Sequence, residues 1–204
     1  MPKVVDRTEK RAEFVAASWN VIASEGLRAA TLRRVASEAG CTTGSLTHYF
    51  PDRRSLLINS LRSAHFEAGA RMMKAAEQAS SQFERLEAVL LEALPLDAPR
   101  MREWRVWLAF WAEAMNDPQL AEENQRRYAE WRNLLSDVVS PLVADSADLE
   151  AELDHLIALI DGLGLHLARD VADGVVLDTR QRACEDTLEG ILFRFKAAES
   201  RVSG

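Results

Sequence analysis

The spacing of apolar residues predicts helices along most of the chain. From about residue 82 onward, apolar positions recur at intervals of three and four residues, and prolines separate several of these segments. We expect helices over residues 83–94, 101–116, 119–143, 148–172 and 178–198. Pro141 should end or bend the third of them, because proline lacks the amide proton that a helix interior needs. No stretch shows the apolar–polar alternation of a half-buried strand, so the pattern predicts an all-α protein.

Near the N-terminus, residues 31–50 (TLRRVASEAGCTTGSLTHYF) have the pattern of two short helices joined by a tight turn. Thr31 and Thr42 are residues that cap helix N-termini, and Gly40 supplies backbone freedom for the turn. A step of about 100° per residue places the apolar residues of the second helix on one face and small polar residues on the other. Such a polar face fits a DNA major groove, which is about 12 Å wide. We interpret the segment as a helix-turn-helix with residues 42–49 as recognition helix, although any pair of packed helices shares part of this pattern.

The flanking residues extend the pattern over three successive helices. An amphipathic helix precedes Gly26, and another helix begins near Arg53. The matching positions are Gly26, Thr31, Val35, Ala36, Ala39, Gly40, Gly44, Leu46, His48, Tyr49, Phe50, Arg53 and Leu56. At these positions the chain resembles the TetR family of transcriptional repressors, which implies an N-terminal three-helix DNA-binding domain. At Thr47 many members carry a tyrosine that contacts backbone phosphate, and a threonine hydroxyl can still reach one.

We expect a domain boundary near residue 54, with a helix-turn-helix DNA-binding domain over 1–54 and a larger helical effector-binding and dimerisation domain over 55–204. Arg53 lies in the first turn of the following helix, where backbone N–H groups and a cation together favour phosphate. The expected partner is double-stranded operator DNA. The expected DNA-contact residues are Thr31, Arg33, Thr42, Thr43, Gly44, Ser45, Thr47, His48, Tyr49 and Arg53.

The net charge of −7 at pH 7 is unevenly distributed. Residues 1–62 hold ten basic and six acidic side chains, a charge of +4, whereas the rest holds 15 basic and 26 acidic ones, a charge of −11. A basic end on an acidic body directs the phosphate backbone of DNA to that end. A charged helix surface alone is usually a solvated face, but here the basic part coincides with the helix-turn-helix.

The helix predicted over residues 101–116 holds three of the five tryptophans. Trp104, Trp107 and Trp111 fall on a single stripe, and Tyr128 and Trp131 on the next helix can close the same space. Such a cluster can form an aromatic cage for a cationic ligand, because indole faces attract ammonium groups. The alternative is that these side chains form a bulky core.

Two motifs in the body, WLAFW at residues 107–111 and LIDGL at residues 159–163, resemble the C-terminal domain of the BetI branch of the family. Its name-giving members repress choline-to-betaine genes and respond to choline, so the resemblance implies a choline-like effector. Other relatives with this domain type bind different effectors. Gly164 stands where choline-responsive members carry a tryptophan, which implies a missing pocket wall or an enlarged pocket.

Asp161 interrupts an apolar run, so its carboxylate needs a partner. It can be the counter-ion of a cationic effector, or it can hydrogen-bond to a neighbouring helix or across a subunit interface. Gly162 and Gly164 allow another helix to approach closely. We expect a homodimer through the last two helices, since two recognition helices then reach successive major grooves. The candidate ligand-binding residues are Trp104, Trp107, Phe110, Trp111, Tyr128, Trp131 and Asp161.

The sequence does not favour catalysis. Glu152 and His155 have the spacing found in di-iron bundles, but such sites need the motif twice. Cys41 and Cys184 form neither a disulfide framework nor a metal cluster, and we find no phosphate-binding loop or nucleophile elbow. We therefore expect no enzyme activity, no cofactor and no metal.

We also find no secretion signal and no apolar run long enough to span a membrane, and the cysteine content suits a reducing compartment. The sequence predicts a cytoplasmic, ligand-responsive repressor that binds a palindromic operator as a dimer and is released by a small effector. That effector would be choline-like or another cationic or amphipathic compound. The alternative is a regulator of an efflux or catabolic operon that senses an apolar aromatic or lipid-like effector.

Overall fold

The computed structural model describes residues 7–143, 146–169 and 178–202. Within these residues the chain forms nine α-helices, two short 3₁₀ helices and no strand, which confirms the all-α prediction. The α-helices are α1 (Arg7–Glu25), α2 (Leu32–Glu38), α3 (Thr43–Thr47), α4 (Arg53–Glu77), α5 (Gln82–Ala93), α6 (Ala98–Ala114), α7 (Pro118–Val139), α8 (Ser146–Arg169) and α9 (Asp178–Val202). The 3₁₀ helices are η1 (Leu27–Ala29) and η2 (Ser140–Leu142).

The backbone packs into two compact units. The first comprises the described residues up to Phe66 together with Arg105–Gln125, and the second comprises Glu67–Trp104 and the described residues from Arg126 onward. Helices α4, α6 and α7 therefore each contribute residues to both units. The functional boundary expected after residue 54 stays a prediction.

The core of the first unit joins the N-terminal helices to parts of α6 and α7. Phe14 of α1 and Leu46 of α3 are completely buried in it, as is Leu56 of α4. Phe110 of α6 and Leu120 of α7 belong to the same core. Because fully burying one such side chain contributes about 1.5–3 kcal/mol, this shared core stabilises α2 and α3, which are too short to be stable alone.

Helices α6 and α7 begin earlier than predicted, each with a proline in its first turn. Pro99 is the second residue of α6 and Pro118 is the first residue of α7. Asp97 and Asp117 precede these helices, and their carboxylates accept hydrogen bonds from first-turn amides at 2.8 and 2.9 Å. Proline fits there because the first amides of a helix have no acceptor within the helix.

The last three α-helices lie close to their predicted ranges within the described residues, with α8 beginning at Ser146, two residues early, and α9 continuing to Val202, four residues past its predicted end. Helix α7 ends before η2, which contains Pro141, so the third predicted helix ends at this proline rather than bending. Helix α8 is described as far as Arg169, and its predicted end at residue 172 lies outside the described residues.

Each unit contains a bidentate ion pair made by an arginine of α4. In the first unit, Arg62 Nε and Nη2 donate to the two carboxylate oxygens of Glu123, both at 2.7 Å. In the second unit, Arg71 donates to both oxygens of Glu103, also at 2.7 Å. Burial raises the pKa of Glu103, and the neighbouring guanidinium opposes that rise. Separating a buried carboxylate from such a partner is costly, so these pairs fix the rotation of α4 within each unit.

Candidate functional site

Two short helices joined by a turn carry most of the residues predicted to bind DNA. The Thr31 hydroxyl oxygen accepts a hydrogen bond from the Arg34 amide at 3.2 Å and caps α2. Thr42 caps α3 in the same way through the Ser45 amide, also at 3.2 Å. Between the helices, Gly40 has φ 64°, a left-handed conformation that glycine adopts without strain. The helix-turn-helix predicted from the sequence is confirmed.

The recognition helix α3 is shorter than the predicted span of residues 42–49. Regular helix covers Thr43–Thr47, and the amides of Tyr49 and Phe50 both donate to the Leu46 carbonyl at 3.0 Å to close the last turn. Leu46 and Phe50 are 0% exposed. A five-residue helix is not stable by itself, so burial of these two side chains determines how α3 is presented.

The ten residues predicted to contact DNA all lie in the first unit, and most of them are exposed. The exposed ones are Thr31, Arg33, Thr42, Thr43, Gly44, Thr47 and His48, and the half-buried ones are Ser45, Tyr49 and Arg53. We call this set the recognition surface. Hydroxyl groups, an imidazole and an arginine can reach phosphates and base edges, so the surface has the chemistry that DNA binding needs.

Ion pairs distinguish the two adjacent arginines of α2. Arg34 donates to Glu25 at 2.9 and 2.6 Å and lies 3.0 Å from Glu38, so its charge is neutralised. Arg33 is exposed and forms no ion pair within the described part of the chain. Arg33 is therefore the arginine of α2 that remains available for a phosphate.

Two residues of the recognition surface already use donors inside the protein. The Thr47 hydroxyl donates to the Gly44 carbonyl at 2.9 Å, so this proton is not available to a phosphate while that bond persists. Arg53 Nε donates to the Ala30 carbonyl at 3.1 Å and its Nη2 to the Leu27 carbonyl at 2.6 Å. Their predicted phosphate contacts stay predictions.

Arg11 of α1 supports this surface from within the protein, a role that the sequence analysis did not assign to it. Its guanidinium donates to the Tyr49 carbonyl at 3.3 Å and to Asn59 Oδ1 at 2.7 Å, and it lies 4.6 Å from the centroid of the Phe50 ring. These contacts hold the C-terminal end of the recognition helix against α1 and α4. A basic residue on a polar helix face gives no sequence signal for such a role.

The candidate ligand-binding residues are divided between the two units. Phe110 is 0% exposed in the core of the first unit, Trp107 is half-buried against that core, and Trp111 belongs to the same unit. Trp104, Tyr128, Trp131 and Asp161 belong to the second unit. Trp107 and Phe110 therefore pack as part of the core of the first unit, as the alternative interpretation of the cluster predicted.

Within the second unit, Tyr128 and Asp161 form a hydrogen-bonded pair. The phenol donates to Asp161 Oδ2 at 2.7 Å. Burial raises the pKa of Asp161, and the hydrogen bond from Tyr128 opposes that rise. Burial and the adjacent carboxylate together raise the pKa of Tyr128. The phenol is therefore the donor of a partly buried phenol–carboxyl pair between α7 and α8.

This pair lines a groove with a volume of about 420 Å³. The lining residues are Tyr128, Ala129, Arg132, Asp154, Ile157, Ala158 and Asp161. Arg132 donates to Asp154 Oδ1 at 2.6 Å and also binds Glu150, so two carboxylates neutralise its charge. We call this site the α7–α8 groove. Its apolar walls, with one carboxyl at the Tyr128 end, suit a small ligand that carries a positive charge.

Elsewhere in the second unit, the indole of Trp104 lies directly over Gly164 of α8. A β-carbon placed on Gly164 would lie 2.0, 2.1 and 2.5 Å from three atoms of the Trp104 six-membered ring. The indole is 7% exposed and donates through Nε1 to the Ala93 carbonyl at 2.8 Å. The space that a side chain at position 164 would occupy is therefore filled by an indole from α6.

The other candidate chemistry is sparse. Glu152 and His155 lie 3.9 Å apart on one face of α8, with His155 largely exposed. In the described part of the chain, no group of three or more histidine, cysteine or acidic side chains is arranged to hold a metal ion. Of the helices that the structure describes, none combines the length and the apolar composition needed to cross a bilayer.

Comparison with known protein families matches both parts of the chain. Residues 14–59 match bacterial regulatory proteins of the tetR family, and residues 83–192 match the C-terminal domain of BetI-type transcriptional repressors. The second match alone covers more than half of the 204 residues. The chain belongs to the TetR family and to its BetI-type branch. It is a transcription regulator with a helix-turn-helix for DNA, as the sequence predicted.

Individual TetR relatives resemble nearly the whole chain. The regulator BetI of Paraburkholderia xenovorans (strain LB400) is 33% identical over 201 residues, covering 94% of this chain and 98% of its own length. The regulator PksA of Bacillus subtilis (strain 168) is 32% identical over 172 residues, covering 83% and 84%. A transcriptional regulator of Saccharomonospora viridis, solved in complex with choline, superposes with a TM-score of 0.76 at 24% identity, covering 90% and 97%.

Sequence reasoning missed most of the α7–α8 groove of this TetR-family chain. It selected two of the seven lining residues, Tyr128 and Asp161, but not Ala129, Arg132, Asp154, Ile157 or Ala158. A signal was present, because Arg132 lies four residues after Tyr128, and Asp154, Ile157 and Asp161 follow each other at intervals of three and four. Residues at these intervals share one helix face. What the sequence lacked was the pairing of that face of α8 with α7.

Proposed function

We propose that this chain is a ligand-responsive transcriptional repressor that acts in the cytoplasm, binds a palindromic operator as a homodimer and is released by a small cationic effector. The observation that carries the effector part is the Tyr128–Asp161 pair in the α7–α8 groove. TetR-family regulators bind DNA and small-molecule effectors and act as dimers.

A cation suits the groove for an electrostatic reason. Burial makes the charged form of Asp161 unfavourable, and among the described residues the Tyr128 phenol opposes this effect through its hydrogen bond. An ammonium group beside the carboxylate would stabilise its charged form. The phenol ring adds an aromatic surface of the kind that attracts quaternary ammonium groups. The choline bound by the Saccharomonospora viridis regulator has this chemistry.

The apolar part of the groove favours a second candidate. Ala129, Ile157 and Ala158 contribute its apolar surface. An aromatic or lipid-like effector could bind there by burying apolar area, in a regulator of an efflux or catabolic operon. Such a ligand would gain nothing from the charge of Asp161, which separates the two candidates experimentally.

The dimer is proposed from apolar side chains that remain exposed on the last two helices. Leu165 of α8 is 48% exposed and Phe193 of α9 is 71% exposed. A β-carbon on Gly162 would meet nothing within 4 Å in a single chain, so α8 offers room for a second helix. A twofold dimer would place the two recognition helices in successive major grooves about 34–36 Å apart.

Release would follow from a shift between two states of the dimer. Helix α7 carries Tyr128 and Arg132 at the groove and Glu123, which binds Arg62 of α4. Helix α4 is the next helix after the recognition helix and begins six residues after its end. An effector that binds one arrangement of these helices better shifts the population by its difference in affinity, typically about 1–3 kcal/mol or 5- to 150-fold.

The test is a mobility-shift titration of the purified protein on DNA from its own upstream region, with and without choline. We expect a specific complex that choline releases. The Asp161→Asn variant, which loses the charge with little change in shape, should bind the same DNA without responding to choline. Asp137→Asn is the matched control, because Asp137 is an exposed carboxylate of α7 outside the groove.

Each part can fail separately. A specific complex that ignores choline but is released by an apolar aromatic compound would replace the cationic effector with the second candidate. A response to choline that is equal in Asp161→Asn and in the wild type would show that the α7–α8 groove is not the effector site. Failure to distinguish upstream DNA from an unrelated duplex would count against an operator in that region.

A further inference from the structure

Arg53 is predicted from the sequence to bind phosphate, but its guanidinium group faces the interior of the first unit. Nη2 donates to the Leu27 carbonyl at 2.6 Å, and Nε donates to the Ala30 carbonyl at 3.1 Å. Nε and one Nη form the side edge of the fork that arginine commonly offers to a phosphate or carboxylate. In Arg53 this edge is used by two backbone carbonyls of the same chain.

These carbonyls lie where the first helix of the helix-turn-helix begins. Leu27 and Ala30 are 5% and 0% exposed and stand at the start of η1 and directly after it. Ala30 precedes Thr31, the residue that caps α2. The Arg53 bonds therefore join the start of α4 to the start of α2 across 23 and 26 residues of sequence.

The first turn of α4, which carries Arg53, is itself held in a fixed position. Asp52 accepts a hydrogen bond from the Ser55 amide at 2.7 Å, which fixes the first turn of α4. Phe50, just before this turn, and Leu56, just after it, are both 0% exposed. Because a hydrogen bond to a backbone amide and apolar packing hold the first turn of α4, the Arg53 side chain in this turn can fix the position of the start of α2.

The recognition helix lies between the two joined points in the sequence. Helix α3 has five residues and is presented by its neighbours. We infer that Arg53 is a positioning residue for DNA recognition: it fixes the separation of the starts of α2 and α4, and with it the geometry of the recognition surface, and it is not a phosphate ligand. The inference rests on the DNA-binding role given above.

A phosphate ligand and a positioning residue change different quantities. Losing one phosphate contact lowers the slope of log K against log salt by about 0.9 and weakens specific and non-specific binding alike. Losing a positioning residue leaves the slope unchanged and lowers the ratio of specific to non-specific affinity. Specific affinity depends on several base contacts being made together, whereas non-specific binding tolerates a displaced α2.

The experiment measures salt slopes of the full-length wild type, Arg53→Ala, Arg53→Lys and Arg33→Ala on operator DNA and on an unrelated duplex. We expect Arg53→Ala to bind the operator at least about fivefold more weakly, with unchanged slopes on both duplexes. Arg53→Lys keeps the charge but cannot present a planar fork to two carbonyls, so it should also lose specific affinity. Arg33→Ala is the control for a phosphate contact and should lower the slope.

Amide hydrogen exchange of the free protein tests, without DNA, whether Arg53 holds the start of α2 in place. Arg53→Ala should lower protection of the Thr31 and Arg34 amides, while amides in the buried middle of α4 keep theirs. The inference is overturned if Arg53→Ala lowers the slope by about 0.9 on both duplexes while Arg53→Lys behaves as the wild type. It is also overturned if both variants match the wild type in specificity and in exchange. The ratio of wild-type affinities for the operator and for the unrelated duplex tests whether the protein recognises a specific DNA sequence. The salt slope on the unrelated duplex can be measured whether or not it does.

Discussion

Replacing Gly164 with alanine should destabilise the second unit, although alanine is the better helix former. The new β-carbon would lie 2.0 Å from Trp104 Cη2 and 2.1 Å from Cζ2. The indole must therefore move by about 1.4 Å to reach an ordinary contact of 3.4 Å. It has little freedom to do so, because the ring is 7% exposed and its Nε1 is hydrogen-bonded to the Ala93 carbonyl.

The size of the effect follows from three contributions. Overpacking a filled interior costs about 1–3 kcal/mol. If the indole leaves the Ala93 carbonyl, the loss of a buried hydrogen bond costs about 1–3 kcal/mol. The helix propensity of alanine offsets about 0.5–1 kcal/mol of this. We therefore expect Gly164→Ala to lower the free energy of unfolding by about 2–4 kcal/mol.

The measurement is urea unfolding followed by circular dichroism at one fixed protein concentration, since an oligomer's apparent stability depends on concentration. Gly69→Ala is the matched control. Gly69 lies inside α4, and its added β-carbon would meet Leu134 Cδ1 at 3.9 Å, an ordinary contact. This control should gain about 0.5–1 kcal/mol from helix propensity alone.

A double-mutant cycle with Trp104→Leu isolates the steric cause. If the indole is the obstacle, most of the Gly164→Ala penalty should disappear in the Trp104→Leu background, giving a coupling energy above about 1 kcal/mol. Equal penalties in both backgrounds would refute this reasoning. So would a Gly164→Ala variant that is as stable as Gly69→Ala.

Three other predictions concern the effector site, α4 and the dimer. Choline affinity should fall as the pH is lowered through the raised pKa of Asp161, because the carboxyl is neutral below that pKa and negative above it. Calorimetry at several pH values measures this, and a pH-independent affinity would contradict it. Arg62→Ala removes the bidentate partner of Glu123, whose side chain is buried with the residue 2% exposed. Urea titrations should show a free energy of unfolding lower by about 1–3 kcal/mol. An unchanged unfolding midpoint would show that the ion pair contributes nothing to stability. Gly162→Ala meets no obstacle within one chain but should raise the dissociation constant of a dimer packed through α8 by about tenfold. Analytical ultracentrifugation measures this constant, and an unchanged value would place the interface elsewhere.

The sequence predicted the helix-turn-helix well because its signals are local. Thr31 and Thr42 cap the helices they were expected to cap, and Gly40 takes the positive φ that the turn requires. Each feature depends on residues within a few positions of each other. The starts of α6 and α7 were placed too late because Pro99 and Pro118 were treated as helix breaks, although proline is also favoured in a first turn.

The tertiary partners of these elements could not be predicted in the same way. Arg53 was assigned to phosphate from its place in a first turn, and the carbonyls it binds lie 23 and 26 residues earlier. The sequence left open whether the tryptophan stripe of α6 forms a pocket or a core; in the structure Phe110 lies in the core of the first unit and Trp104 packs in the second. Helical periodicity shows which residues share a face but not which element covers that face.

Gly164 illustrates how tertiary packing changes the meaning of one residue. The resemblance to choline-responsive family members implies that a pocket wall is missing at this glycine or that the pocket is enlarged. In the structure, the indole of Trp104 fills the space over Gly164, and the distances leave no room for a side chain at position 164 as well. A tryptophan at 164 and the present position of Trp104 therefore exclude each other, so they are alternative ways to place an indole beside this turn of α8. Asp161 lies one helical turn before Gly164. The absence of a side chain at 164 is therefore no evidence of an enlarged pocket, because Trp104 fills that space.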